Sequence, residues 1–159
     1  MDELAKKAPV ETFYIGSNHD RMISYFATNY IYAWYRDNPN VAVSYDCKIR
    51  KFVEFGKVML GYCHGSDEGK NISTLMAKEE PEMFGRTKFR YMQAAHFHSN
   101  QSKPYSETCG CEVRYLGSPA GADSWHYRKG FIGAIKSGYG FVYDKELGRR
   151  LEIRSNIVG

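Results

Sequence analysis

The chain has no long hydrophobic run, no strong excess of one charge, and no internal repeat or low-complexity tract. None of its apolar stretches approaches the length that crosses a bilayer. The N-terminal residues 1–7 lack the apolar segment of a secretory signal peptide. These absences predict a cytoplasmic protein that does not associate with membranes.

Charge and cysteine content give weak constraints on function. The 22 basic and 18 acidic residues leave a net charge of +4, which is compatible with a polyanionic substrate but does not require one. The four cysteines are expected to be reduced, and in a cytosolic core they usually act as small hydrophobes. The spacing of Cys109 and Cys111 suits neither an ordinary disulfide nor a zinc knuckle. A zinc site from Cys63, Cys109, Cys111 and a histidine is left as an alternative.

The pattern of apolar residues predicts a single α/β domain over residues 1–159, with a β-rich C-terminal half. A strand at Val10–Ile15 precedes a helix at Asp20–Arg36, whose apolar residues recur at helical spacing. Its aromatic residues Tyr30, Tyr32, Trp34 and Tyr35 are interpreted mostly as core or flank. A second helix is expected from Ile72 to about Lys78, with an extension past Pro81 to Phe84. The further predicted strands are Val41–Tyr45, Arg50–Phe55, Lys57–Cys63, Arg90–Ala95, Glu112–Leu116, Ile132–Ile135, Gly140–Tyr143 and Leu151–Ile153.

Polar groups that bind metals follow three of these strands. Asn18, His19 and Asp20 lie at the turn from the first strand to the helix. His64 follows Lys57–Cys63, and His96 and His98 follow Arg90–Ala95. Functional groups of α/β proteins commonly cluster at the carboxyl ends of strands. Neutral imidazoles and an amide oxygen suit manganese, iron, zinc or nickel.

In this order, the groups resemble motifs of the calcineurin-like metallophosphoesterases, in the phage and bacterial branch that is similar to DNA-repair exonucleases. The segment from Gly16 to Asp20 resembles the G-N-H-D/E block with an inserted serine or a shifted glycine. His64 resembles the lone histidine block, and residues 95–98 resemble G-H-x-H with alanine in place of glycine. The segment from Leu116 to Gly130 also looks like the phage branch, so the resemblance extends from Val10 onward.

The resemblance implies the C-terminal half of a four-layer α-β-β-α sandwich and a centre of divalent metal ions, with manganese expected and iron, zinc or nickel as alternatives. Two ions about 3.5–4 Å apart can clamp a phosphate and activate a water for in-line attack. A histidine is a suitable proton donor to the leaving oxygen. In this scheme Asn18, His64 and His96 would bind one ion and His98 the other, while His19 would act on the leaving group and Asp20 would orient His19.

Two blocks of the family, D-x-H and G-D-x-x-D, do not occur in the sequence. The expectation is therefore a partial phosphoesterase of phosphodiesterase or nuclease type. A complementing chain could supply the missing motifs, or copies of this chain could associate. The substrate would be a phosphodiester, such as a nucleic acid, and a phage-encoded chain would act in the host cytoplasm. The alternative is a catalytically inactive remnant that serves as a binding or regulatory module. His126 is interpreted as a packed histidine outside the metal set.

Overall fold

The computed structural model describes residues 1–18, 21–46, 48–96, 105–119, 128 and 135–157. The chain divides into two compact units, Met1–Lys51 and Phe52–Gly159. No helix among the described residues is long and apolar enough to cross a membrane.

The first unit is built on two parallel strands joined by a helix. Strand β1 (Val10–Phe13) pairs with β2 (Val41–Ser44), with Val10 opposite Val41. A short helix, α1 (Asp2–Ala5), precedes β1. Helix α2 (Arg21–Tyr35) connects the strands and packs against β2. Its end at Tyr35 agrees with the prediction, because Pro39 cannot continue a helix.

Helix α2 forms as the periodicity predicts, but its aromatic residues do not form a core. Tyr30, Tyr32 and Trp34 are exposed, and only Tyr35 is half-buried, where its hydroxyl donates to Asp2. The interpretation of these residues as core or flank is therefore wrong for most of them. The helix packs through a different side, which includes the buried Thr28. Periodicity identifies an apolar face, but it does not determine whether that face is covered.

A five-stranded mixed sheet forms the body of the second unit, in the order β3-β4-β5-β7-β6. The inner strands β4, β5 and β7 run parallel, while β6 is antiparallel to β7. Gly56, at a φ of +59°, turns the chain between β3 and β4 as the hairpin prediction expected. The strand bounds are β3 (Arg50–Phe55), β4 (Val58–Cys63), β5 (Phe89–Ala94), β6 (Tyr105–Thr108) and β7 (Cys111–Tyr115).

One face of this sheet packs against helices to form the core. Helix α3 (Ile72–Glu79) lies on β5 and β7 and is followed by α4 (Pro81–Arg86). The predicted extension past Pro81 is thus a separate helix, since a residue before proline is disfavoured in helical conformation and Glu80 has φ −131° and ψ 62°. Three methionines are fully buried at the centre of the core: Met59, Met76 and Met92.

The opposite face is held to a hairpin of two long strands by polar contacts. The hairpin consists of β8 (Ser137–Asp144) and β9 (Gly148–Asn156). The guanidinium of Arg149 donates to both carboxylate oxygens of Glu112, at 2.6 and 3.0 Å. The amide of Gln93 donates to the Tyr143 hydroxyl at 2.9 Å. The second unit therefore has helices, a mixed sheet and a hairpin in successive layers.

The prediction of an α/β fold with a mixed sheet is confirmed. Most strands were located to within a few residues, although β8 and β9 are longer than predicted. Three elements among the described residues were missed: helix α1, the 3₁₀ helix Gly69–Asn71 and strand β6. Of the predicted strand Ile132–Ile135, residues 132–134 lie outside the described residues, and Ile135 does not belong to a strand.

Candidate functional site

Two of the histidines singled out in the sequence meet where two neighbouring parallel strands end. Strands β4 and β5 are in register with Cys63 opposite Ala94, the last residue of each strand. His64 follows directly, and its carbonyl accepts a hydrogen bond from the amide of Ala95 at 3.0 Å. His96 comes one residue later, so both imidazoles lie at the carboxyl edge of the sheet.

The two imidazole rings are in direct contact. Nδ1 of His96 lies 3.1 Å from Nε2 of His64, and the ring centroids are 5.0 Å apart with an interplanar angle of 75°. At this distance one nitrogen can donate a hydrogen bond to the other, and the tautomers of the two rings decide which one donates. Both side chains are half-buried. The pair is therefore held in place and reachable from solvent.

An irregular backbone at His96 accounts for this contact. If both strands continued regularly, His64 would share a face with Ala95, and His96 would point to the opposite face. The φ of His96 is instead +67°, in the left-handed region that residues with a Cβ rarely adopt. Such outliers persist where the surrounding structure enforces them and are common at functional sites. The conformation turns the His96 ring toward His64.

Gly65 allows the chain to leave β4 close to its neighbour. Its φ is +95°, and a Cβ at this position would lie 3.2 Å from the Cβ of Ala94 and 3.3 Å from the carbonyl oxygen of Ala95. Glycine is the residue that accepts both the positive φ and this close approach. The sequence His64-Gly65 therefore combines a polar group with the turn that keeps it at the sheet edge.

A tyrosine that the sequence analysis did not select lies at the end of the third parallel strand. Tyr115 closes β7 opposite Ala94. Burial raises the pKa of its hydroxyl, and the nearby Cys63 and Glu68 raise it further. Tyr115 therefore stays a neutral hydrogen-bonding group beside the end of β5. Only the parallel order of β5 and β7 could have pointed to it, and that order is not visible in the sequence.

The spacing of the imidazole nitrogens can be compared with metal coordination. Zinc–imidazole bonds are about 2.0–2.1 Å long and zinc sites are tetrahedral, so two nitrogens bound to one zinc ion would be roughly 3.3–3.4 Å apart. The observed 3.1 Å is slightly shorter than this separation and is also an ordinary hydrogen-bond distance. Among the described residues, no group of three or more His, Cys, Asp or Glu side chains could hold a metal.

The described structure does not test the other predicted site residues. Asn18 is exposed and belongs to the first unit, whereas His64 and His96 belong to the second. His19, Asp20 and His98 lie outside the described residues, as does His126. Their assigned roles stay predictions.

The cysteines do not gather into a site among the described residues. Cys63 and Cys111 are buried in the core, whereas Cys109 is exposed. Burial raises the pKa of the Cys111 thiol to about 11, and its sulfur lies 3.3 Å from that of Met76. Two of the three described thiols thus occupy positions typical of small hydrophobic residues, as expected from the sequence, and Cys47 lies outside the described residues.

Comparisons with known proteins give one distant likeness. No family model matches the chain, and no curated protein matches it. Among solved structures, it is similar to a conserved uncharacterised protein of Streptococcus pneumoniae TIGR4, a predicted phosphoesterase. The match covers 92% of this chain and 97% of that chain, with 12% identity and a TM-score of 0.38. At this level the likeness does not assign the chain to a family.

Proposed function

We propose that this chain is a metal-dependent phosphoesterase of phosphodiesterase or nuclease type, in which His64 and His96 hold a divalent cation. The observation that carries the proposal is the 3.1 Å approach of their ring nitrogens at the ends of adjacent parallel strands. The resemblance to metallophosphoesterases assigns these two histidines to the same ion. A bound cation, with manganese as the first candidate, would polarise a phosphate oxygen and lower the pKa of a water.

The remaining roles in the proposal come from the resemblance. Asn18 would be a further ligand of the same ion and His98 a ligand of a second one. His19 would deliver a proton to the leaving oxygen, and Asp20 would orient its ring. An imidazole suits this task because its ordinary pKa lies near neutrality.

The proposed substrate is a phosphodiester, with nucleic acid as the first class to test. The carboxylates of the D-x-H and G-D-x-x-D blocks would come from a complementing chain or from association of copies of this chain. Hydrolysis by this chain alone is therefore expected to be weaker than hydrolysis by the complemented assembly.

A second candidate function is a catalytically inactive binding or regulatory module derived from a phosphoesterase. The described residues provide no third His, Cys, Asp or Glu ligand beside the pair, which favours this alternative. In that case the two histidines would form a structural hydrogen bond between strand ends.

Metal binding tests the proposed site, and hydrolysis separates the two candidates. The purified protein, stripped with chelator, would be titrated with Mn²⁺ by calorimetry, and its metal content would be measured by elemental analysis after dialysis. His64→Ala and His96→Ala should each weaken Mn²⁺ binding at least about tenfold, because each removes a direct ligand, whereas changes in outer-shell partners already cost 10–100-fold. His126→Ala is the matched control, because it removes a histidine outside the proposed set.

Hydrolysis then tests the phosphoesterase assignment itself. Release of nitrophenolate from bis(p-nitrophenyl) phosphate should depend on Mn²⁺ and should be lost in His96→Ala. The assay would be run on the chain alone and with a chain that carries the two missing blocks. Equal Mn²⁺ affinity in all three variants would refute the metal site. Metal binding without hydrolysis in either condition would favour the inactive module.

A further inference from the structure

Helix α2 has a second apolar side in addition to the one that packs on β2. The packed side includes Thr28, which is buried, and Tyr25 and Ile31, which are half-buried. The second side is exposed and will be called the outer face of α2. Its members repeat at intervals of three and four residues: Met22, Ile23, Phe26, Tyr30 and Trp34.

The outer face is large for an apolar surface that is exposed to solvent. Its side chains are between 61% and 76% exposed. A buried aromatic side chain contributes about 150–250 Å², so the exposed parts of the three aromatic residues alone amount to roughly 400 Å². With methionine and isoleucine the face approaches the ~800 Å² that one partner contributes to a standard interface. The largest apolar patch on a typical monomer is about 300–600 Å².

The lack of charged residues along α2 indicates which kind of partner suits the outer face. After Arg21, no charged residue occurs before Arg36. Nucleic-acid binding depends on lysine and arginine contacts to phosphates, which this face cannot make. A helix that lies on a membrane surface carries lysine and arginine along its polar side, and α2 has none there either. A neutral apolar face is best matched by another neutral apolar face, and a second copy of the chain supplies one of equal size.

The geometry of the outer face suits a symmetric helix pair. Met22, Phe26, Tyr30 and Trp34 form one continuous ridge at intervals of four residues, and the rings of Tyr30 and Trp34 are 6.2 Å apart. Ridges of this kind interdigitate when two helices cross at about −50°. In a two-fold dimer the same patch is used on both subunits, so self-complementarity is sufficient.

We infer that two copies of this chain associate through the outer face of α2, which packs against its symmetry mate. The inference is independent of the proposed metal site. Variants of α2 should therefore keep the Mn²⁺ affinity of the wild type, and either proposal can fail without the other.

Sedimentation velocity of the full chain, over about 1–200 μM, tests this association. The wild type should form a dimer, and Phe26→Glu should raise its dissociation constant at least about 30-fold, as expected for a central anchor residue. Ile23→Glu is a second variant of the same face, in case the first does not fold. Leu147→Glu is the matched control, because Leu147 is 59% exposed at the β8–β9 turn and should leave the constant unchanged.

Two results would overturn the inference. One is a wild type that stays monomeric over the whole concentration range. A monomeric wild type that sediments with lipid vesicles in a parallel experiment also counts as this result. The other is a dimer whose dissociation constant is the same in Phe26→Glu and Ile23→Glu as in the wild type. Circular dichroism of each variant would verify that the helix content is retained.

Discussion

Replacing His96 by glycine should leave the protein more stable than replacing it by alanine, although both changes remove the imidazole. Alanine keeps a Cβ, which makes the φ of +67° unfavourable by about 1–2 kcal/mol. Glycine adopts this conformation freely but loses about 0.5–1 kcal/mol more backbone entropy on folding. Both variants lose the contact with His64, so that contribution cancels. The midpoints of these two ranges leave a free energy of unfolding that is about 0.75 kcal/mol higher for His96→Gly.

Urea denaturation followed by circular dichroism measures this difference, provided that the slope of the transition is the same in both variants. Ala95→Gly is the control, because Ala95 is the preceding residue and does not have a positive φ. There glycine should lower the free energy of unfolding by about 0.5–1 kcal/mol. If glycine at position 96 is no more stable than alanine, the left-handed backbone is not the reason that the two rings meet.

Three further changes test the packing of the second unit. Met92→Ala should lower the free energy of unfolding by about 2–5 kcal/mol in urea denaturation, because Met92 is fully buried. A loss below about 1 kcal/mol would contradict the position of Met92 at the centre of the core. Gly148→Ala should lower the free energy of unfolding by about 2 kcal/mol or more in the same measurement, since the φ of Gly148 is +79° and a Cβ would lie 2.7 Å from the Tyr91 hydroxyl. An unchanged urea midpoint would contradict this backbone conformation at Gly148. Burial raises the pKa of Cys111 from 9.0 to about 11, so the unfolded chain releases this proton first and stability should fall as the pH rises through that interval. Cys111→Ala should flatten the decline in urea midpoints between pH 8 and about 11, and an equally steep decline would show that other groups cause it.

Much of the fold could be predicted because local patterns determine it. The strand at residues 50–55 was predicted with the observed bounds, since short apolar runs bounded by turn residues are typical of strands. The break between α3 and α4 shows a limit of the same approach. The apolar pattern is compatible with one helix through Pro81, but the backbone at Glu80 interrupts it. Strand β6 (Tyr105–Thr108) was missed because its four residues include one apolar side chain and give no apolar run.

The outer face of α2 shows what periodicity leaves undetermined. Residues at intervals of three and four gave the correct helix, yet the side chains expected to be core or flank are mostly exposed. The helix has apolar residues on two sides, and its own unit covers one of these sides with β2. Which side packs inward depends on the shape of the sheet that it meets, which no local pattern encodes.

The positions of His64 and His96 could be predicted from the sequence, but the contact between their rings could not. That His64 and His96 follow apolar strands could be predicted from their positions, and adjacent parallel strands in register then place both residues at one edge. That their rings touch could not be predicted, because a regular pleat would direct them to opposite faces. The contact requires the left-handed backbone at His96. Histidine is one of the residues that adopt the left-handed region more often than most, but no local pattern in the sequence indicates where this happens.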